Sequence, residues 1–299
     1  MFISIVIPVL NQEEYLEEAI LSVLSQDHEE KELIIIDGGS NDRTVEVIRK
    51  YEKQISYWVS EPDFGQSDAI RKGMKKAKGD IVNWLNADDY LLPQALSKVN
   101  EVFSKSNFEV VCSKVLRLRQ GKGMEDEFSQ TRLESCTEKT IVYGSMGQPG
   151  QFYLKRIWEE LGGVSTEFHY SMDKDLWIRY LAKHGQEMAV VVSFSTAVFR
   201  LHSGSKTEND GGRFKEEDKR IELRVKEQNK IAGDVLLLQS YYFGKESMDL
   251  YAQASYQEAR KLAWKAIRGG AWDTKGLVVC FLKVLLLPGF LINWIRSTK

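Results

Sequence analysis

The sequence predicts an α/β fold built on a mostly parallel central sheet flanked by helices. Three observations carry that expectation. Short, β-branched apolar runs alternate with helical stripes over roughly the first 90 residues. Each run ends in a turn rich in Asp, Asn or Gly. The 299 residues, 43% of them hydrophobic, are ample for a buried core and show no low-complexity bias.

The elements follow in order. Residues 3–8 suit a strand buried on both faces. Residues 13–25 carry Tyr15, Leu16, Ala19, Ile20, Val23 and Leu24 at helical spacing. Residues 33–36 form a second apolar strand, ended by Asp37-Gly38-Gly39-Ser40. A helix over 42–51, a strand over 57–59 and a helix over 68–77 come next. The strand at 81–85 closes with Asn86-Ala87-Asp88-Asp89. Crossovers between parallel strands should be right-handed. Farther along, 109–119 and 188–200 read as strands, and 157–161 and 173–183 as helices. Residues 206–230 are dense in mixed charge, the usual mark of a solvated helix or loop. The expected organisation is an α/β domain over 1–207 and a helical extension over 208–299.

Charge and cysteine usage narrow the function classes. A formal net charge of −2 gives no basic field for a nucleic-acid partner. Cys112, Cys136 and Cys280 are odd in number and widely spaced. That argues against a disulfide framework or zinc cluster and for a reducing, cytoplasmic compartment. The first residues lack the basic region of a secretory signal. Residues 258–299 hold eight Lys or Arg against Glu258 and Asp273, a local charge of +6. Residues 276–295 are apolar apart from Lys283, Pro288 and Asn293. A packed helix pair, a helix lying on an anionic membrane surface and a membrane span all stay open for this tail.

Ligands of open α/β sheets bind beyond the carboxyl ends of the strands. Here those ends carry Val9-Leu10-Asn11, Asp37-Gly38-Gly39-Ser40, Glu61-Pro62-Asp63 and Asn86-Ala87-Asp88-Asp89. There is no Gly-x-Gly-x-x-Gly after the first strand and no Walker loop. Asp88 and Asp89 can hold Mg²⁺ or Mn²⁺, which bridge carboxylates to a diphosphate. They can equally cap a helix before Pro93.

A series of motifs runs through the chain: Ser4 through Leu16, Ser22-Val23-Leu24-Ser25-Gln26 and Ile36-Asp37-Gly38-Gly39-Ser40-Asn41-Asp42-Arg43-Thr44. It continues with Gly65-Gln66-Ser67-Asp68-Ala69-Ile70, Lys78-Gly79-Asp80-Ile81 and Trp84-Leu85-Asn86-Ala87-Asp88-Asp89. Met172-Asp173-Lys174-Asp175-Leu176-Trp177-Ile178-Arg179 completes the series. In order and spacing these motifs resemble glycosyltransferase family 2, with its GT-A fold. The variant is similar to bacterial enzymes of O-antigen, capsule or exopolysaccharide synthesis.

The resemblance implies an inverting, metal-dependent transfer of one hexose or N-acetylhexosamine. The donor would be a nucleotide sugar, a UDP-sugar by analogy, and the acceptor a glycan or lipid-linked hydroxyl. Pro8, Val9, Leu10, Asn11 and Glu13 would border the donor. Asp37 would bond the uracil or ribose beside Gly38, with Asp68 and Arg71 near the base or diphosphate. Asn86 and Ala87 lead to Asp88, the first ligand of Mn²⁺ or Mg²⁺, with Asp89 assisting. His202, in Arg200-Leu201-His202-Ser203-Gly204-Ser205-Lys206-Thr207, is either a second metal ligand or structural. Gln148-Pro149-Gly150-Gln151 is a turn that could border the acceptor. Asp173 takes the catalytic-base position, and a helix-capping role there is compatible; Asp175, two residues on, should face elsewhere.

The chain departs from the family at Gly38, Asn86 and Arg71, which bear on donor contacts rather than reaction class. The Gln-x-x-Arg-Trp motif of processive synthases is absent. Other readings are a sugar-phosphate nucleotidylyltransferase, which would want a glycine-rich loop after the first strand, or a non-catalytic nucleotide-sugar-binding assembly subunit. A cytoplasmic enzyme, peripheral on the inner membrane face, is the expectation.

Overall fold

A computed structural model describes residues 1–121, 123–227, 233–253 and 255–274. The apolar tail at 276–295 lies outside the described residues. The chain divides into two compact units. The first comprises Met1–Leu133 with Ser145–Arg224, and the second Glu134–Gly144 with the described residues from Val225 onward. Residues 208–224, assigned by sequence to the extension, therefore cluster with the first unit.

The first unit begins with three βα repeats. β1 (Ile3–Val9), β2 (Lys31–Asp37), β3 (Tyr57–Ser60) and β4 (Ile81–Trp84) pair in parallel in the order β3-β2-β1-β4. All seven residues of β1 are buried, as its alternation-free apolar run requires. α1 (Leu16–Leu24) buries Leu16, Ala19, Ile20 and Val23, one face at helical spacing. α2 is Thr44–Lys50 and α3 Gln66–Lys76. A Cβ at Gly73 of α3 would strike Val6, so only glycine lets that helix seat on β1.

Beyond β4 the sheet becomes mixed. β5 is Tyr90–Leu91, and α4 (Ala95–Ser104) follows. The α4 cap is Gln94, so Asp88 and Asp89 do not cap that helix. β6 (Val110–Arg119) pairs with the hairpin strand β7 (Gly123–Gln130). A 3-10 turn at Gln148–Gly150 leads into β8 (Gln151–Leu154), antiparallel to both β4 and β6. Buried Asn83 of β4 donates to Gln151 O at 2.7 Å, fixing that turn beside the strand. β9 (Ala189–Leu201) runs parallel to β6 and antiparallel to β5. The parallel expectation holds for β1–β4, and the later strands add antiparallel pairs.

α5 is Thr137–Tyr143, α6 Lys155–Glu160 and α7 Met172–His184. α8 (Lys206–Asn209) and α9 (Gly211–Glu227) occupy the charge-dense stretch. The second unit contains the helices α10 (Val235–Ala252) and α11 (Tyr256–Arg268), packed on each other. Among the described residues no helix is long and apolar enough to cross a membrane.

Candidate active site

A cavity of about 500 Å³ opens in the first unit at the carboxyl ends of β1 and β4. Its volume suits a nucleotide-sized ligand. Pro8, Val9 and Leu10 from β1 and the turn after it form one wall. Trp84, Asn86, Ala87 and Asp88 form the second, Met172 and Asp173 of α7 the third. Residues 204–207 and the 146–149 turn complete the lining. Thus Pro8, Val9, Leu10, Asn86, Ala87, Asp88 and Asp173 meet in one space.

The other candidates are held by protein partners. Asn11 sits in the left-handed region at φ 51°. Its N–H donates to Ser40 Oγ at 2.7 Å, and its Oδ1 accepts from Asn41 N–H at 2.9 Å. Glu13 accepts from Arg43 N–H at 2.7 Å, and that contact holds its carboxyl below the usual range. Asp37 is fully buried. It accepts from Gly39 and Ser40 N–H and from the Ser40 and Ser60 hydroxyls. Gly38 matters by lacking a Cβ, which would come within 2.7 Å of Asp63 Oδ2. Asp68 pairs with Lys72 at 3.4 Å. Arg71 donates to Gly162 O at 2.7 Å and Val164 O at 3.0 Å, tying α3 to the turn after α6.

Asp88 and Asp89 are neighbours with different surroundings. Asp89 is buried, accepting from Arg200 N–H at 2.9 Å and from Asn86 Nδ2 at 3.2 Å. Burial, then the charge of Asp88, pushes its carboxyl well above the ordinary range. Asp88 keeps its carboxylate at the cavity, with Oδ2 3.2 Å from His202 Nε2. His202 Nδ1 accepts from Gly204 N–H at 3.2 Å, so in the neutral ring Nε2 carries the proton toward Asp88.

A carboxylate oxygen and an imidazole nitrogen side by side suit Mn²⁺, which accepts both donors, better than Mg²⁺. No cluster of three or more His, Cys, Asp or Glu that could hold a metal occurs among the described residues. The donor pair therefore fits an ion that takes its remaining ligands from substrate phosphate and water. Ligation through Nε2 would move the ring proton to Nδ1 and release the Gly204 contact.

Asp173 lies in the first turn of α7, after the Ser171 N-cap. Its Oδ1 accepts from Lys174 N–H at 2.7 Å. Exclusion of water by the surrounding protein raises its carboxyl to about 6, the poise a base needs near neutral pH. Asp175 is fully buried and pairs with Arg179 at 2.9 Å and with Arg224. The two carboxylates of one motif thus face opposite ways, as their spacing on a helix requires.

Sequence reading missed Gln66, which spans the cavity floor. It donates to Asn86 Oδ1 at 2.8 Å and accepts from Lys206 Nζ at 2.9 Å. Its signal was present, since it stands inside the Gly65-Gln66-Ser67-Asp68 motif. Met146, His169, Tyr170 and Phe214 also line the cavity. Met146, His169 and Tyr170 stand just outside the Gln148-Pro149 and Met172-Asp173 motifs, and Phe214 lies in the charge-dense stretch, so none belongs to a motif.

Comparison with known proteins agrees with this geometry. Residues 4–151 match the model of "Glycosyl transferase family 2". An uncharacterized glycosyltransferase of Haemophilus influenzae is 32% identical over 158 residues, covering 52% of this chain and 60% of the relative. A GalNAc(5)-diNAcBac-PP-undecaprenol beta-1,3-glucosyltransferase of Campylobacter jejuni is 28% identical, covering 59% of this chain and 58% of its own. These matches span about three fifths of the relatives' lengths.

Among solved structures, S. aureus TarS 1–349 in complex with UDP-GlcNAc aligns with a TM-score of 0.65 at 16% identity, covering 95% of this chain and 90% of that one. The mannosyltransferase PcManGT of Pyrobaculum calidifontis, in complex with GDP-Man and Mn²⁺, gives 0.60 at 17%, covering 95% and 86%. At that identity the likeness is one of fold, and the fold is GT-A. Motif order, family match and architecture agree: the chain carries a glycosyl transferase family 2 domain, matched over residues 4–151.

Proposed function

We propose that this chain moves one hexose or N-acetylhexosamine from a UDP-sugar to a hydroxyl of a glycan or lipid-linked acceptor, with inversion. The observation that carries the reading is that Asp88 and Asp173 face the same cavity from different walls. In this reading one serves the diphosphate and the other the acceptor hydroxyl.

Pro8, Val9 and Leu10 form the wall against which the nucleoside would lie. Asp88 and His202 would hold Mn²⁺ or Mg²⁺, which when bound neutralises the departing diphosphate. Lys206, on the opposite wall, supplies a further positive charge to the same group. Asp173 takes the proton of the acceptor hydroxyl while its oxygen attacks C1 and the C1–O bond to the diphosphate breaks. Attack opposite the leaving group turns an α-linked donor into a β-linked product. Asp37, buried behind the β2 turn, acts by shaping that turn.

α11 supports a peripheral position on an anionic membrane face. It buries Ala259, Ala263, Ala266 and Ile267. It exposes Trp264 together with Arg260, Lys261, Lys265 and Arg268. An aromatic ring among cations is suited to the headgroup layer. Flotation with anionic vesicles should be lost when Lys261, Lys265 and Arg268 are all replaced by Glu. Equal flotation by that variant would end the membrane assignment.

The transfer reading is tested by incubating the protein with UDP-glucose, UDP-galactose and UDP-N-acetylglucosamine plus Mn²⁺ and following UDP release. One donor should be consumed, and Asp173→Asn should slow its consumption by about 10²-fold or more. Mn²⁺-dependent binding of UDP with no turnover of any nucleotide sugar would instead indicate a binding subunit.

A further inference from the structure

Glu217 of α9 is buried, with 8% of its surface exposed. Its partners are three consecutive backbone N–H groups. Oε1 accepts from His169 at 2.9 Å, and Oε2 from Tyr170 at 2.8 Å and Ser171 at 2.9 Å. The next residue, Asp218, accepts from Ser171 Oγ at 2.8 Å and pairs with Lys174 at 2.6 Å. Two adjacent carboxylates of α9 therefore grip the chain on both sides of Asp173.

Burying a carboxylate is unfavourable unless its oxygens are well bonded. A charge-dense helix has many ways to keep every carboxylate in water. Glu217 is instead turned inward onto the segment that leads into α7. Ser171 makes no side-chain cap hydrogen bond of its own, so the start of that helix is held from outside. Arg224, two turns farther along α9, pairs with Asp175 on the other side of the same helical turn.

We propose that Glu217 is a positioning residue for Asp173: by gripping the backbone of residues 169–171 it fixes where α7 begins and how the Asp173 carboxylate enters the cavity. The proposal rests on the reading of Asp173 as the base. It gives a role to a stretch that composition marks only as solvated. The charged and titratable groups that act on Asp173 are Lys174 on its own helix, Asp218 on α9 and Tyr153 on β8; Glu217 and His169 stand at the segment leading into α7, and Lys206 lines the same cavity.

The test is the titration of Asp173 in the ligand-free full chain, by carboxyl-¹³C aspartate NMR, with the resonance assigned by its loss in Asp173→Asn. The wild-type midpoint should lie near 6. In Glu217→Gln an NH₂ group faces N–H donors, the start of α7 loosens and water reaches Asp173. Its midpoint should fall by about one pH unit or more toward the ordinary carboxylate value. UDP release from the donor found active should slow by about tenfold or more, with UDP affinity unchanged. A folded Glu217→Gln protein with an unmoved Asp173 midpoint overturns the proposal, whatever its melting temperature. If Glu217→Gln does not fold, Glu217→Asp, which keeps the charge but shortens the reach, is read by the same criterion. The titration needs no substrate. A failure of the transfer reading, seen as full activity of Asp173→Asn, is therefore distinct from a failure of the grip.

Discussion

The turns that follow β1 and β2 contrast with the wall built by the end of β4, residues 202–207 and the start of α7. Both regions are made of Asp, Asn, Ser and Gly at sheet ends. In the first, the polar groups bind one another: Asn11 to Ser40 and Asn41, Asp37 to Ser40 and Ser60. In the second, Asp88 and Asp173 keep carboxylate oxygen at the cavity while Asp89 and Asp175 are drawn inward. The same residue types bond one another in one place and face the cavity in the other. What separates them is where the partners are, which spacing along the chain does not record.

The largest expected effects divide Asp173 from Asp175. Asp173→Asn should reduce transfer by about 10²–10⁴-fold, the usual worth of a general base. It should also raise the melting temperature at pH 7. The raised native pKa means that the ionised form is disfavoured in the folded state, so the neutral amide relieves a strain. Asp175→Asn should do the opposite. It leaves Arg179 and Arg224 without their buried partner and should lower stability by about 3–5 kcal/mol. Thermal melts and initial rates on the two variants check both halves. A stabilised Asp175→Asn protein would erase the distinction.

A smaller effect follows from pH. Asp173 must be ionised to accept a proton. With a native pKa of about 6, turnover should be level above pH 7 and fall about tenfold per unit well below pH 6. The sign for stability is reversed. Protonation in the native state is complete below the folded pKa, so this group favours the fold as pH falls from about 6 toward 4. A rate profile still level at pH 5 would remove Asp173 from the base position.

The smallest effect tests the scaffold. Arg71→Ala breaks two bonds to the carbonyls of Gly162 and Val164. It should cost about 1–3 kcal/mol of stability, since hydrogen bonds from a charged donor are lost. UDP affinity, measured by calorimetry, should change by less than about threefold. A hundredfold loss of affinity would return Arg71 to the nucleotide.

The parts of the fold legible in the sequence were those whose signal is local. β1–β4 and α1–α3 show apolar runs and stripes of their own, and each ends in a turn motif. β5 has two residues and is defined only by its pairing with β9. α4 does carry a stripe, Leu96, Val99 and Phe103, but it stands in the stretch between the strand end at 86–89 and the strand at 109–119, where the sequence reading places no element. The candidate site was half legible. Asp88 and Asp173 stand in motifs that name them. Arg71 looks like a ligand residue until the turn after α6 is seen beneath it. Glu217 looks like one more solvated acid in a charged helix, because its partners are backbone groups about 46–48 residues away.

The contrast between consumed and cavity-facing groups is tested most directly by calorimetry of UDP binding, with and without Mn²⁺. Wild type, Asp88→Ala and Asp68→Ala should be compared. Asp68 serves as the scaffold control because it pairs with Lys72. The account predicts that Mn²⁺ strengthens UDP binding to wild type and Asp68→Ala alike, and that Asp88→Ala loses this Mn²⁺ effect. Undiminished Mn²⁺-dependent affinity in Asp88→Ala would contradict it.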